Sequence, residues 1–238
     1  MQPDPTNLLY RLDITTPLIG FYDAPDPKPF QPIVDETGGG CVFDHVQEWY
    51  QGKTLHLTPE KHGCRGAGRS ICGVESFPAE QLVDFLVDKE GLKASKELML
   101  EWVKHSRPYK PIHGHILIGP LKPGQEEYLR TVTFIVNPDQ MSALTTGAQY
   151  FSHPTDAPPV VSRFGSGCSL FVAFDNLDIP QALIGATDTA MRENLEPDQL
   201  LFTVTKPMFK RLCELGENSF LYKSFWTGLR KARGLPDL

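Results

Sequence analysis

Proline and glycine set the size of every structural element this chain can form. It carries 21 Pro and 20 Gly in 238 residues. Pro3, Pro5, Pro17, Pro25, Pro27, Pro29 and Pro32 interrupt any helix near the N-terminus, and Gly38-Gly39-Gly40 closes a loop-rich segment over 1–40. Between these breakers, Leu18-Ile19-Gly20-Phe21-Tyr22 reads as a short buried strand. Thr54-Leu55-His56-Leu57 alternates as a half-buried one. A glycine-rich loop is predicted at 63–73. One helix is predicted from Pro78 to Gly91, and a second is capped by Ser95, with Leu98, Met99, Trp102 and Val103 on one face.

Downstream the chain alternates strands and helices. Strands are predicted at 113–121, 131–136, 160–161, 169–174, 182–184 and 200–204. Asn137-Pro138 opens a helix with Met141, Leu144, Ala148 and Phe151 on one stripe. A later helix turns Met208, Leu212 and Leu215 inward, and a last one spans about 220–232 with Phe225 and Leu229 four apart. Phe134-Ile135-Val136-Asn137-Pro138 and Phe202-Thr203-Val204-Thr205-Lys206-Pro207 read as the same strand-to-helix device, arising by convergent local chemistry. The expected architecture is α+β (mixed α/β): one domain over 1–238, a mixed sheet flanked by helices, with an internal boundary near the proline-rich patch at 153–159.

A formal charge of −6 argues against a protein that binds a phosphate backbone, so no nucleic-acid partner is expected. No apolar stretch approaches the roughly 18 residues that cross a bilayer. Met1 to Tyr10 lacks the basic and apolar regions of a secretory signal. A cytoplasmic chain with no membrane partner is therefore expected, its oligomeric state left open. In such a chain five cysteines are an odd set that cannot pair completely.

Those cysteines carry the candidate chemistry. Cys64 and Cys72 bracket the run Gly63-Cys64-Arg65-Gly66-Ala67-Gly68-Arg69-Ser70-Ile71-Cys72-Gly73, where Gly66 and Gly68 let the backbone approach an anion and Arg65 and Arg69 favour thiolate. The run is neither a dinucleotide fingerprint nor a phosphate loop. Cys41 and Cys168 each follow a glycine-rich turn. Together Cys41, Cys64, Cys72 and Cys168 are the number of ligands that a zinc ion or an iron–sulfur cluster takes, without the spacing of either. Cys213 lies beside Leu212 on an apolar stripe and reads as packing. His113 and His115 share one face of a strand, read as a solvent-facing pair. Arg192 is a carboxylate or phosphate anchor, or else the partner of Asp188 in an exposed ion pair.

The blocks Gly39-Gly40-Cys41, Gly63 to Gly68, Val136-Asn137-Pro138-Asp139-Gln140, Phe164 to Cys168, and Gly185 to Asp188 with Met191-Arg192 resemble the domain of unknown function 169 family of prokaryotes. The resemblance runs from about Leu18 to Trp226. It implies a shared pocket near these blocks, Asn137 included, and no established activity or cofactor. Three functions stay open. The first is a cysteine-lined binding or redox site holding a metal, an iron–sulfur centre or a small anionic ligand. The second is a thiol-dependent enzyme on a small anionic metabolite, with Cys64 or Cys168 as nucleophile and Arg65, Arg69 or Arg192 as anchor. The third is a non-catalytic module for a small molecule.

Overall fold

A computed structural model describes residues 3–35, 39–74, 78–106, 108–165 and 167–236. In chain order the elements are α1 (Thr6–Leu12), β1 (Ile19–Ala24), β2 (Ile33–Asp35), α2 (Val46–Tyr50), β3 (Thr54–Leu57), α3 (Arg65–Ile71), α4 (Ala79–Asp84), α5 (Lys96–His105) and β4 (His115–Pro120). There follow β5 (Leu129–Val136), α6 (Pro138–Gln149), β6 (Val160–Ser162), β7 (Ala182–Gly185), β8 (Leu200–Thr205), α7 (Lys206–Cys213) and α8 (Ser224–Ala232). The strands form one mixed sheet of eight in the order β2-β3-β4-β1-β5-β8-β7-β6, so the fold is α+β with helices against the sheet.

That order contains a duplication. Outward from the centre, the first half runs β1-β4-β3-β2 and the second β5-β8-β7-β6. In both halves the first two pairings are antiparallel and the outermost is parallel. β1 and β5 meet antiparallel at the centre, Ile19 opposite Thr133 and Gly20 opposite Val132. A pseudo-two-fold axis normal to the sheet therefore passes between them. The axis keeps each face of the sheet on its own side. The β2–β3 connection holding Cys41 and the β6–β7 connection holding Cys168 thus occupy equivalent places on one face. The proline-rich patch at 153–159 is a connection inside the second half, and the seam between halves lies at 121–128, around Lys122-Pro123-Gly124.

The two faces differ in what covers them. Alternate residues Val132, Phe134 and Val136 of β5 meet the regular helices, with Leu144, Phe209, Leu212 and Trp226 in the same core. The opposite face packs Ile19, Phe21 and Ile135 against 3-10 helices and α3. There Phe43 and Phe171, equivalent in the two halves, stack with centroids 5.6 Å apart and planes at 10°. Trp49 abuts both rings edge-on. Thr131 Oγ1 donates to the Phe171 carbonyl at 2.7 Å and ties the second turn to the central strand.

Several expected elements hold, and others differ for identifiable reasons. The device after β5 and β8 is present twice on neighbouring strands, with Phe134 opposite Phe202. Asn137 caps α6 by accepting from Gln140 N, and Thr205 caps α7 by accepting from Met208 N. The strand expected at 169–174 is instead a 3-10 helix, Gly167–Phe171, because Phe171 turns inward onto Phe43. The glycine-rich run read as a loop contains α3, since Cys64 supplies an N-cap. Phe225 is 94% exposed and α8 buries Trp226 and Arg230 instead, while Phe151 lies beyond α6 and exposed.

Replacing Phe171 by Ala removes a ring that three aromatics contact. We expect a loss of about 3–5 kcal/mol in urea unfolding. A loss under about 1 kcal/mol would contradict its place in the core.

Candidate functional site

Cys64 is the residue around which the cysteine turns gather. Gly63 stands at φ 71°, which glycine adopts without strain, and delivers Cys64 as the N-cap of α3. Its sulfur accepts from Ala67 N at 3.4 Å, and its own N–H donates to Gly40 O at 3.0 Å, joining the Cys64 turn to the Cys41 turn. In the Cys41 turn Asp44 Oδ2 accepts from Cys41 N at 2.9 Å, and Asp44 Oδ1 accepts from Asn194 Nδ2 at 3.1 Å. Glycine is required by close approach here: a Cβ on Gly68 would meet the His62 ring at 2.7 Å, and one on Gly167 the Met191 side chain at 2.8 Å.

The Cys168 side chain is the main reason that Cys64 is pushed down to about 6. The amides of Ala67 and Gly66 and the nearby His62 act in the same direction, against burial. Its neighbours behave oppositely. Burial pushes Cys41 up to about 11 and Cys72 up to about 12, and the Cys64 charge adds to both. Cys64 is half-buried, whereas Cys168 and Cys72 are buried. Cys64 is thus driven toward the thiolate, while Cys41 and Cys72 nearby are driven toward the neutral thiol.

The remaining sequence candidates have other bonds. Arg69 Nη2 donates to Val103 O at 3.3 Å and pins α5. Arg65 Nη1 donates to Gln81 Oε1 at 3.2 Å. Arg192 caps the loop before β8 through the carbonyls of Glu196, Pro197 and Gln199. Asn137 sits across the sheet in a capping box with Gln140, whose Nε2 reaches the carbonyls of Leu12 and Asp13. Gly66 and Gly68 lie in the first turns of α3, and Gly66 N–H faces the Cys64 sulfur. Among the described residues no group of three or more His, Cys, Asp or Glu side chains is arranged to hold a metal ion. Cys213 packs half-buried against the helix-side core.

His113 and His115 do not form the expected pair. His113 N donates to Asp23 at 2.9 Å and its ring meets Tyr128 edge-on. His115 Nδ1 instead lies 3.0 Å from His56 Nε2, and His56 Nδ1 lies 2.9 Å from Asp35 Oδ1. This Asp–His–His chain draws on β2, β3 and β4, and no local motif marks it. A cavity of about 410 Å³ opens beside Asp35, His56, Thr58 and Glu60. A larger one lies at the end of the central strands, also away from the cysteines. No helix among the described residues is long and apolar enough to cross a membrane.

The model of the DUF169 family, described as Uncharacterised ArCR, matches residues 12–215 and so covers most of the chain. The blocks that carried the resemblance, Gly39 to Cys41 through Arg192, fall inside the match. No curated protein and no solved structure gives a match.

Cys168→Ala removes the main cause, so the Cys64 pKa should rise from about 6 toward the ordinary thiol value of 9. The pH dependence of iodoacetamide labelling at Cys64 reads this directly, and an unchanged midpoint would contradict that role of Cys168. The depressed folded pKa also has a sign. The stability it contributes is full above pH 9 and is lost as pH falls through about 6.

Proposed function

We propose that this chain, which belongs to the DUF169 family, is a thiol–disulfide redox protein in which Cys64 is the attacking thiolate and Cys168 the resolving thiol. What supports the reading is that Cys64 and Cys168 pack into one cluster and that the Cys168 side chain is the main cause lowering the Cys64 pKa, to about 6. A thiolate beside a second thiol is the arrangement that opens a disulfide and then closes on itself.

The atoms and electrons balance with a disulfide RSSR as oxidant. Cys64 S⁻ attacks one sulfur of RSSR, forming Cys64–S–S–R and releasing RS⁻. RS⁻ takes the Cys168 proton and leaves as RSH. The Cys168 thiolate then attacks the Cys64 sulfur, forming the Cys64–Cys168 bond and releasing a second RS⁻. RSSR gains two electrons and the cysteine pair loses two. Half-burial of Cys64 leaves it open to the first attack, and burial of Cys168 reserves it for the second. The Ala67 and Gly66 amides hold the charge at Cys64 before the attack.

The rival reading keeps zinc or an iron–sulfur cluster on Cys41, Cys64, Cys72 and Cys168. What supports it is that Cys41 and Cys72 both lie in electrostatic range of Cys64. What weighs against it is that, among the described residues, no group of three or more His, Cys, Asp or Glu side chains is arranged to hold a metal ion. A small anionic substrate would need anchors other than Arg69 and Arg192, whose guanidinium groups bind backbone carbonyls.

The test exposes reduced protein to oxidised glutathione and follows intact mass. Wild type should pass to an internally oxidised form with no retained glutathione. Cys168→Ser should accumulate one glutathione, bound at Cys64, and Cys64→Ser should react at least about tenfold more slowly. Equal reaction of Cys64→Ser and wild type would overturn the proposal. Stoichiometric zinc or iron in anaerobically purified protein, lost in Cys64→Ser, would favour the metal reading instead.

A further inference from the structure

The cavity at the end of the central strands, about 970 Å³, is lined by charge of a sign unexpected in an acidic protein. Arg130, Lys206 and Lys210 border it, together with the Tyr109 hydroxyl-bearing ring. Its walls include Ile112, Leu129, Leu177 and Phe209, with Ile112 68% exposed.

The backbone aims Arg130 there. The β1–β5 register passes from Phe21 opposite Thr131 to Tyr22 opposite Leu129, leaving Arg130 as the extra residue of a β-bulge. Bulges re-aim a side chain at the cost of a ladder position, and they concentrate next to binding sites. The Arg130 charge acts on the Tyr109 hydroxyl, and Tyr109 Oη donates to Asp23 Oδ2 at 2.7 Å. Asp23 is fully buried and also accepts from Ile112 N at 2.6 Å and His113 N at 2.9 Å, so this carboxylate is occupied behind the tyrosine. Arg130 Nε is buried with no hydrogen-bond partner.

Lys206 is the second cation. Its Nζ donates to Glu126 O at 2.8 Å, and burial, then the Arg130 charge, holds it below the usual lysine range. The neighbouring carboxylates only partly offset this pair. Glu126 Oε1 turns back to accept from Gly124 N at 2.8 Å, Asp178 lines the rim, and Lys210 is loosely paired with Glu214 at 3.9 Å. A guanidinium and an ammonium group on one cavity, over apolar walls, match an anion with a hydrocarbon body.

We propose that this cavity is a binding site for a small organic anion, its carboxylate or phosphate group against Arg130 and Lys206 and its apolar body on Ile112, Leu129 and Phe209. The site is separate from the cysteine turns and stands or falls independently of them.

Isothermal titration with hexanoate, hexyl phosphate and 1-hexanol tests it on the full chain. At least one of the two anions should bind, and hexanol should bind at least about tenfold more weakly, since it lacks the charge-assisted hydrogen bonds. The stronger anion identifies the headgroup. Arg130→Met should weaken that anion by about tenfold or more. Lys210→Met, at the exposed rim, should weaken it by a smaller factor and guards against misfolding of the first variant. Cys64→Ser should bind as wild type does. Absence of binding by both anions at millimolar concentration, hexanol binding as tightly as either, or wild-type affinity in both cavity variants would each overturn the proposal.

Discussion

The antiparallel pairing of β1 with β5 is the constraint from which the rest follows. It joins two four-stranded halves of equal order and polarity about a pseudo-two-fold axis. Equivalent connections must then lie on the same face. Cys41-Val42-Phe43 and Cys168-Ser169-Leu170-Phe171 come together there, and the Phe43–Phe171 stack fixes their approach. α1, α6, α7 and α8 cover one side of the sheet, while the other is covered by 3-10 helices and the short helices α2 and α3. Short turns expose amides and close-packed glycines, and such surroundings can stabilise a thiolate.

Cys64 belongs to the longer β3–β4 connection of the first half, and it packs in one cluster with Cys168 from the second half. The proposed reactive pair is therefore assembled across the repeat: neither half contains it alone. Cys41 is the closer counterpart of Cys168 in sequence, each thiol following a glycine turn between parallel-paired strands. Its N–H is held by Asp44, and its sulfur is kept neutral by burial. Symmetry of backbone thus coexists with asymmetry of charge, and the asymmetry selects one thiolate.

What could be read from the sequence was what is decided locally. Asn137 and Thr205 cap their helices with residues only three positions away, so the two strand-to-helix turns were legible. So were Thr54–Leu57 and the Ser95 cap, for the same reason. The segment around Cys168 read as a strand because its apolar run is continuous, and only the distant Phe43 makes it curl. α3 escaped because a sulfur is an uncommon cap and its glycines are poor helix formers, tolerated where His62 presses on Gly68. Residue type singled out Arg69 and Arg192, and the family resemblance Asn137, and all three bind backbone groups in the structure. The Asp35–His56–His115 chain and the Arg130 bulge depend on strand register, which no local pattern encodes.

The proposed chemistry needs Cys64 and Cys168 to be partners, in preference to any other pair of the five cysteines. Mapping the disulfide formed by one equivalent of diamide, by peptide mass spectrometry of the non-reduced protein, tests this directly. The Cys64–Cys168 crosslink should be the main product. A main product joining Cys64 to Cys72, or Cys41 to Cys168, would contradict it.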